Sequence, residues 1–415
     1  MTLRVLHVLN DLRGGATMSA VALMKEGLRQ GSDIEHYAVD PGREGARDPR
    51  LEGVAKDWSG VPIRTWHRQS WTSPIVFRRL IRAQISAGFG VRSRNSLMSV
   101  VKTWGIGLIH TNTAIVADGA RVALERGIPH VWHVRERIGA GGFKEFPIGD
   151  RKLARFIANS SARVPVISTF VQEFFTRNGQ EQATQLVYDG VDLSGLQGEG
   201  VKAGGRALRE QWGVPEGAVL VGMVGGLKTR VKRHDLFLEM AREVLDHQAD
   251  TYFVIVGELP PESERGPNTL VGRVLSQADE LGLSERVVFS GHIGDMAAVW
   301  AAMDIYVHLC DVEGFSRAIL EAMGTSTSVV AVAAGGNTEA VIDQENGLLV
   351  PRGGASGYAS AVRGLVDDPE LRDRLGQAAS RGVQGRFSIE AHYNTMKRVF
   401  VEAAFGTDAG AGASA

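Results

Sequence analysis

The chain has 415 residues, of which 44% are hydrophobic and 22% charged, and its formal net charge is −1. This length favours two domains over one compact core, and the balanced charge argues against a general nucleic-acid-binding protein. The single cysteine, Cys310, excludes an intramolecular disulfide and fits a reducing compartment.

The first residues enter an apolar run directly, without the basic and long apolar regions of a signal peptide. No stretch of about 18 apolar residues predicts a membrane-spanning helix. We therefore expect a cytoplasmic protein. Residues 406–415 are rich in glycine, alanine and serine, and we predict a disordered tail there.

Short apolar runs alternate with longer amphipathic segments along most of the chain. The predicted strands are Arg4–Leu9, Leu108–Thr111, His130–Val134, Val164–Ile167, Val219–Val224, Tyr252–Val256, Val287–Ser290, Ile305–Leu309 and Val329–Val332. Helical patterns lie between them, as in 236–245, where apolar residues recur every three to four positions. The alternation predicts an α/β protein with parallel sheets covered by helices on both faces.

A polar, glycine-rich segment without periodicity, 192–206, marks the best domain boundary. It separates a first domain, 1–192, from a second domain, 205–387. Ligands of parallel α/β sheets bind at the carboxyl ends of the strands, so we expect the site in a cleft between the two domains.

Two glutamates flank the start of a predicted helix in the second domain. The strand 305–309 is followed by a loop that contains Glu313, and Ser316 is a good N-cap for the next helix. Glu321 would then lie in the second turn of that helix. This arrangement suits two hydroxyl-bearing groups of one ligand, with the helix N-terminus facing a diphosphate between them.

The stretch from Glu313 to Ala322, Glu-Gly-Phe-Ser-Arg-Ala-Ile-Leu-Glu-Ala, resembles the signature of retaining glycosyltransferase family 4, the glycosyl transferases group 1. The resemblance continues in Gly14-Gly15-Ala, 187–192, Gly335-Gly336-Asn-Thr-Glu339 and Asn346-Gly347-Leu-Leu-Val. It implies the GT-B fold, two Rossmann-like domains facing a cleft, with a C-terminal helix at 388–405 that crosses back to the first, acceptor-side domain.

The family resemblance also implies a reaction. A hexosyl group would move from a UDP- or GDP-sugar to an acceptor hydroxyl with retained anomeric configuration, in the synthesis of glycans, cell-surface polysaccharides or glycolipids. Glu313 would hold the hydroxyls of the donor hexose, Glu321 the ribose, and His133 would position the reacting sugar. His110, at another strand end, is more typical of a structural residue.

A glycine-rich loop followed by basic residues, 224–235, predicts a cradle for the diphosphate. In the family this loop reads Gly-Arg, with a lysine several residues later. Lys232 matches the lysine, but Gly226 occupies the arginine position, and either Lys228 or Arg230 could supply the missing charge.

The predicted catalytic residues are therefore His133, Glu313 and Lys232. Weaker acceptor-side candidates are Asn112 and Asp118. The remaining predicted donor-binding residues are Gly15, Gly225, Arg230, Gly257, Glu258, Gly314, Phe315, Ser316, Arg317 and Glu321.

We expect neither a metal nor another cofactor. The sequence has no Asp-x-Asp pair, Asp311-Val-Glu313 being the nearest, and no cluster of cysteine and histidine with metal-ligand spacing. Charge on the leaving diphosphate would be met by Lys232 and by the helix N-terminus after Ser316.

The segment between Asp57 and Asp118 has no acidic residue. Its cations are Arg64, Arg68, Arg78, Arg79, Arg82, Arg92, Arg94 and Lys102, interleaved with Trp66, Trp71, Phe77, Phe89 and Trp104. We predict that 64–104 contacts an anionic membrane or a phosphorylated acceptor, the alternative being a solvated basic surface.

Two other functions remain open. One is a different reaction on the same fold, a nucleotide-sugar 2-epimerase or a phosphorylase. The other is a non-enzymatic scaffold that binds sugar or lipid, in which the change at Gly226 has abolished the activity.

Overall fold

The computed structural model describes residues 2–10, 14–42, 49–63, 92–139, 146 and 148–406. They form two compact units. The first comprises Met1–Gly190 and Ile389–Ala415, and the second comprises Val191–Ser388. The division after Gly190 lies just before the glycine-rich segment at which the sequence places the boundary.

The first unit is built on a parallel sheet. Its strands are β1 (Leu3–Val8), β2 (Ile34–Pro41), β3 (Asp57–Val61), β4 (Leu108–Thr111) and β5 (His130–Trp132), with the pair β6 (Val164–Val166) and β7 (Thr184–Leu186). The sheet order is β3-β2-β1-β4-β5, and all pairs are parallel. Parallel bridges from Val131 to Arg163 and from Val134 to Val166 connect β5 to β6.

Helices follow the strands of this sheet, as the alternation predicts. They are α1 (Gly15–Arg29), α2 (92–104), α3 (Asp118–Arg126), α4 (Asp150–Asn159) and α5 (Thr169–Arg177). The last helix, α14 (Ile389–Phe405), also belongs to the first unit. Its buried residues Tyr393, Met396 and Phe400 share a core with Leu3 and Val5 of β1, which confirms the predicted return of the C-terminal helix.

The second unit has the strand order of the Rossmann fold. Its strands are β8 (Val219–Val224), β9 (Thr251–Val256), β10 (Val287–Gly291), β11 (Ile305–His308), β12 (Ser328–Val332) and β13 (Leu348–Val350). The order β10-β9-β8-β11-β12-β13 is entirely parallel and corresponds to 3-2-1-4-5-6. The two units confirm the predicted α/β class with Rossmann-like domains.

The helices of the second unit cover its sheet. They are α6 (Glu199–Gln211), α7 (His234–Leu245), α8 (Leu270–Glu280), α9 (Met296–Ala302), α10 (Arg317–Gly324), α11 (Asn337–Ala340), α12 (Ala355–Asp367) and α13 (Pro369–Arg386). None of the helices in the described part of the chain combines the length and the apolar character needed to cross a bilayer.

The prediction of an aperiodic linker at 192–206 is wrong for its second half, because α6 begins at Glu199. The glycines there serve helix packing. A Cβ atom at Gly205 would lie 2.8 Å from the carbonyl carbon of Ala301 in α9, so only glycine permits this close approach. Glycine content alone therefore suggested a linker where two helices are in contact.

The basic segment predicted to contact a membrane lies mostly outside the described residues, which resume at 92. Within α2, Arg94 pairs with Glu125 at 3.2 Å, and the Trp104 ring packs 5.4 Å from that of Tyr37. The predicted disordered tail lies outside the described residues apart from Gly406.

Candidate functional site

The loop after β11 brings together several of the predicted residues. Glu313 is anchored through its carbonyl oxygen, which accepts a hydrogen bond from the Gly336 amide at 3.1 Å. Ser316 caps α10 as predicted, because its Oγ accepts from the Ile319 amide at 3.4 Å. Ile319 and the neighbouring apolar residues of α10 are buried, so the helix and the loop before it are held against the sheet.

Lys232, in the short turn Arg230–Lys232 after β8, donates to Glu313 from Nζ to Oε2 at 2.8 Å. About a quarter of each side chain is exposed. Burial would lower the pKa of Lys232, but the Glu313 carboxylate outweighs it, and the pKa is raised. Burial would likewise raise the pKa of Glu313, yet Lys232 and His308 lower it overall. The pair is therefore charged at neutral pH.

Two further polar side chains lie beneath this pair. Cys310 donates a hydrogen bond to Glu313, and burial followed by the Glu313 charge raises the pKa of the thiol to about 12. The Nε2 atom of His308 lies 3.9 Å from Glu313 Oε2. Burial, with Lys232 nearby, lowers the pKa of His308 to about 3, so its imidazole is neutral.

Glu321 is held from two sides. Its Oε1 accepts from Arg317 Nη2 at 2.9 Å and its Oε2 from Trp300 Nε1 at 3.3 Å. About a fifth of the side chains of both Glu321 and Arg317 is exposed. The carboxylate is thus fixed in position while part of it stays accessible to a ligand.

The predicted cradle is formed by the ends of β8 and β9. A Cβ atom at Gly257 would lie 2.4 Å from the carbonyl oxygen of Gly225, so glycine is required for this contact. At Gly226 the nearest atom to such a Cβ would be 3.6 Å away, which is ordinary contact. Lys228 pairs with Glu258 at 2.6 Å, and Arg230 is exposed. The spacing at Gly226 thus leaves room for a Cβ atom, unlike that at Gly257.

The other predicted donor residues fall in different places. Gly314 and Phe315 are buried in the loop, and the Phe315 ring packs 5.4 Å from that of Phe387. Gly15 is the first residue of α1 and belongs to the first unit, as does His133.

His133 follows β5 and is one of a row of buried histidines that the sequence did not predict. His7 hydrogen-bonds His110 and His36, each at 2.9 Å. The ring of His133 lies 5.8 Å from that of His110 and is stacked at 6.2 Å on His392 of α14. The pKa of His133 is well below its usual value, mainly because the ring is buried and also because Arg135 and His392 are nearby. Its imidazole is therefore neutral.

The sequence feature that could have indicated this row is the presence of one histidine on each of the neighbouring strands β1, β2 and β4, and one just after β5. Register shows why they meet, since His7 and His110 lie opposite each other in the β1–β4 pair. A second missed feature is a buried ion pair between Arg135 and Asp189, which Ser19 joins by hydrogen bonds to both. Asp189 lies within the 187–192 motif.

Both acceptor-side candidates are buried and hydrogen-bonded within the first unit. Asn112 donates to the carbonyl oxygen of Ala16 at 2.6 Å. Asp118 begins α3 and accepts from Ser93 Oγ at 2.7 Å. The first bond joins the residue after β4 to α1 and the second joins α2 to α3, so both side chains have structural partners.

Among the described residues, one group of side chains lies close enough to hold a metal ion. It consists of His308, Cys310 and Glu313, whose potential ligand atoms are within 4.8 Å of one another. The sequence did not predict this group, because a histidine, a cysteine and a glutamate within six residues match no standard metal-ligand spacing. The residues come together because the chain turns back after β11.

The match to a protein-family model lies in the second unit. Residues 206–382 match the family model described as glycosyl transferases group 1. This segment belongs to the glycosyl transferases group 1. The match includes Lys232, Glu313 and Glu321, and confirms the family predicted from the motifs. We refer to the second unit below as the group 1 domain.

Similar curated proteins include the lipopolysaccharide core biosynthesis mannosyltransferase LpcC of Rhizobium leguminosarum, 29% identical over 188 residues, 45% of this chain and 52% of that protein. The D-inositol 3-phosphate glycosyltransferase of Kribbella flavida is 31% identical over 217 residues, 51% and 50% of the two chains. The chain thus spans about half the length of these curated relatives.

Solved structures extend the similarity in fold to both units. Anabaena HepE, crystallised with UDP and glucose, has a TM-score of 0.74 at 20% identity, over 96% of this chain and 99% of its own. At that identity the likeness concerns the fold alone. Together with the two sheets it identifies the fold as GT-B.

Proposed function

We propose that this protein is a glycosyltransferase that moves a hexosyl group from a nucleoside diphosphate sugar to an acceptor hydroxyl. The observation that carries the proposal is the Lys232–Glu313 pair, with Glu321 placed eight residues later on α10. These three side chains provide one group for each part of a sugar nucleotide. Lys232 is a cation for the diphosphate, and Glu313 and Glu321 are carboxylates for the sugar and the ribose. The match of this segment to the group 1 family supports the assignment.

In this proposal the donor binds in the group 1 domain. Glu313 accepts hydrogen bonds from hydroxyls of the hexose, and Glu321 from those of the ribose. Lys232 and the amide groups at the start of α10 bind the diphosphate. Each hydrogen bond to a charged group contributes about 1.5–3 kcal/mol. Because Lys232 and Glu313 neutralise each other before the ligand arrives, neither charge is left buried and unpaired.

For the missing arginine at Gly226 we propose Arg230. Lys228 already pairs with Glu258, whereas Arg230 is exposed in the same turn as Lys232. A guanidinium group there would bind phosphate oxygens in bidentate geometry. Lys228 would then serve to position Glu258 at the end of β9.

We propose a uridine nucleotide as the donor and a sugar of a lipopolysaccharide, capsule or glycolipid as the acceptor. HepE of Anabaena was crystallised with UDP-glucose, and relatives of the chain include LpcC and the capsular polysaccharide glycosyltransferase CapM of Staphylococcus aureus. Thermal-shift screening with UDP- and GDP-sugars tests the choice of base and sugar.

We further propose that the reaction retains the anomeric configuration and needs no metal, because Lys232 and the start of α10 supply the positive charge at the diphosphate. Activity unchanged by EDTA, with an α-linked product from an α-linked donor in proton NMR spectra, supports both points. Loss of activity in EDTA that Mg²⁺ restores contradicts the second. Membrane contact through 64–104 stays a prediction, tested by co-sedimentation with anionic and neutral vesicles.

The deciding experiment follows UDP release from UDP-glucose with and without added acceptor sugars, comparing wild type with Glu321→Ala. The matched control is Glu285→Ala, an exposed glutamate outside the site. Release that depends on acceptor and is reduced only in Glu321→Ala supports a transferase. Conversion of the donor without acceptor indicates an epimerase. Formation of glucose 1-phosphate from a glucoside and phosphate indicates a phosphorylase. Failure to bind any nucleotide indicates a non-enzymatic scaffold.

A further inference from the structure

Three side chains of types that bind metal ions lie close together at and after the end of β11. A ring nitrogen of His308, the sulfur of Cys310 and a carboxylate oxygen of Glu313 all lie within 4.8 Å of one another, and Nε2 of His308 is 3.9 Å from Glu313 Oε2. Imidazole, thiolate and carboxylate are the protein ligands of Zn²⁺, which takes four ligands in tetrahedral geometry. A thiolate in the set disfavours Mg²⁺ and Ca²⁺, which prefer oxygen. The chemistry of the group therefore favours zinc over Mg²⁺ and Ca²⁺.

The histidine of this group is already oriented for a metal ion. Nδ1 of His308 lies 2.9 Å from the Tyr306 hydroxyl. Nε2 has no hydrogen-bond partner among the described residues, although only 3% of the residue is exposed. A buried polar atom without a partner is unfavourable. Metal-binding histidines typically use the second nitrogen to donate to an orienting group, as Nδ1 could to Tyr306.

A cation already contacts the same carboxylate. The Lys232 ammonium lies 2.8 Å from Glu313 Oε2, and about a quarter of each side chain is exposed to solvent. A divalent ion on Glu313 would repel this ammonium and take its partner. Zinc and Lys232 therefore compete for Glu313.

We propose that His308, Cys310 and Glu313 form an inhibitory zinc site in the group 1 domain, and that zinc bound there displaces Lys232 and weakens nucleoside diphosphate binding. On binding, the Cys310 thiol loses its proton to solvent and becomes a thiolate ligand, and a water molecule completes the four ligands. The inhibition rests on the proposed function, whereas the zinc site itself does not.

Zinc binding is measured directly by competition with a chromophoric chelator. We expect one ion per chain, with affinity about tenfold or more weaker in Cys310→Ser and His308→Ala, because loss of a group that merely orients a ligand already costs about that much. His247→Ala is the matched control, an exposed histidine two residues beyond α7. Equal zinc affinity in wild type and Cys310→Ser overturns the site.

Cobalt provides a readout that does not depend on a variant being folded. Since Cys310 is the only cysteine, a thiolate-to-cobalt charge-transfer band in the wild-type protein must arise from it. A Co²⁺-loaded protein without this band contradicts the proposal. Lys232→Met removes the competing ammonium and is expected to bind zinc more tightly than wild type; weaker binding would contradict the competition.

The inhibition is tested by titrating UDP with and without zinc. Zinc should raise the apparent Kd for UDP in wild type and leave it unchanged in Cys310→Ser. If zinc occupies the site without altering UDP affinity, the inhibition is overturned. If UDP fails to bind in zinc-free buffer, the proposed function fails, while the chelator and cobalt results still decide the zinc site.

Discussion

The hydroxyl of Tyr306 and Nδ1 of His308 lie 2.9 Å apart, within a buried row of contacts that joins Glu313 to Glu321. On one side, the Tyr306 ring packs at 5.0 Å against Trp300, whose Nε1 donates to Glu321. On the other side, His308 lies beside Glu313. The two carboxylates proposed to bind opposite parts of the donor are thus held by one network of the domain core.

Replacement of Lys232 tests the proposed phosphate contact. In Lys232→Met the affinity for UDP should fall about 10- to 100-fold, because a charge-assisted hydrogen bond of about 1.5–3 kcal/mol is lost. Calorimetric titration measures the Kd. Lys202→Met, at an exposed position of α6, is the control and should bind as wild type. Equal losses in both variants would exclude a specific role for Lys232.

Gly226→Arg tests whether the loop accepts the arginine usual in the family. A Cβ atom there meets no clash, so we expect the variant to fold and to bind UDP several-fold more tightly. In the wild-type background, Arg230→Ala should weaken UDP binding, whereas Lys228→Ala should have little effect. The opposite order of the two alanine variants would assign the role to Lys228.

Glu321→Gln tests the assignment of this carboxylate to the ribose. With UDP the loss should be about 1.5–3 kcal/mol, the contribution of hydrogen bonds to a charged group. With 2′,3′-dideoxy-UDP, which lacks the hydroxyls, wild type and variant should bind alike. A loss of the same size for both nucleotides would place Glu321 away from the ribose.

The buried histidines predict loss of stability in mild acid. Burial lowers the pKa of His36 to about 4 and of His130 to about 3, and holds the pKa values of His7 and His110 well below normal. The unfolded chain binds protons below pH ~6.5, while these folded-state imidazoles stay neutral. Stability is therefore fully present above that pH and falls as the pH decreases, by about 1.4 kcal/mol per pH unit for each group.

Urea unfolding between pH 7.5 and 5 measures this dependence. The variant His36→Gln removes one such group, so below pH ~6.5 its stability should fall less steeply than that of wild type, with a difference in slope that approaches about 1.4 kcal/mol per pH unit near pH ~5. Parallel pH profiles for the two proteins would contradict the account of the histidine row.

Much of the fold could be predicted because buried parallel strands are continuous apolar runs. Leu108–Thr111 and Val219–Val224 have the predicted bounds. Strand β2 was missed because Glu35, His36 and Asp40 interrupt its apolar run, and β3 because its five residues include Asp57, Ser59 and Gly60. Long-range register decides whether such segments become strands, and local sequence does not encode it.

The site was predictable to the extent that its residues lie close together in the sequence. Ser316 predicts the start of α10, and helix periodicity then places Glu321 in the second turn, eight residues after Glu313. The contacts of Lys232 with Glu313 and of Trp300 with Glu321 join residues 81 and 21 positions apart. Packing of separate elements produces them, and therefore no local pattern indicates the Trp300 contact or the histidine row.

The central claim is that Glu313 binds the sugar and Glu321 the nucleoside of one donor. The most direct test compares the Kd values for UDP-glucose and UDP in wild type, Glu313→Gln and Glu321→Gln. The account predicts that Glu313→Gln weakens binding of UDP-glucose but not of UDP, and that Glu321→Gln weakens both alike. Equal effects of the two substitutions on both ligands, or no effect of either, would contradict it.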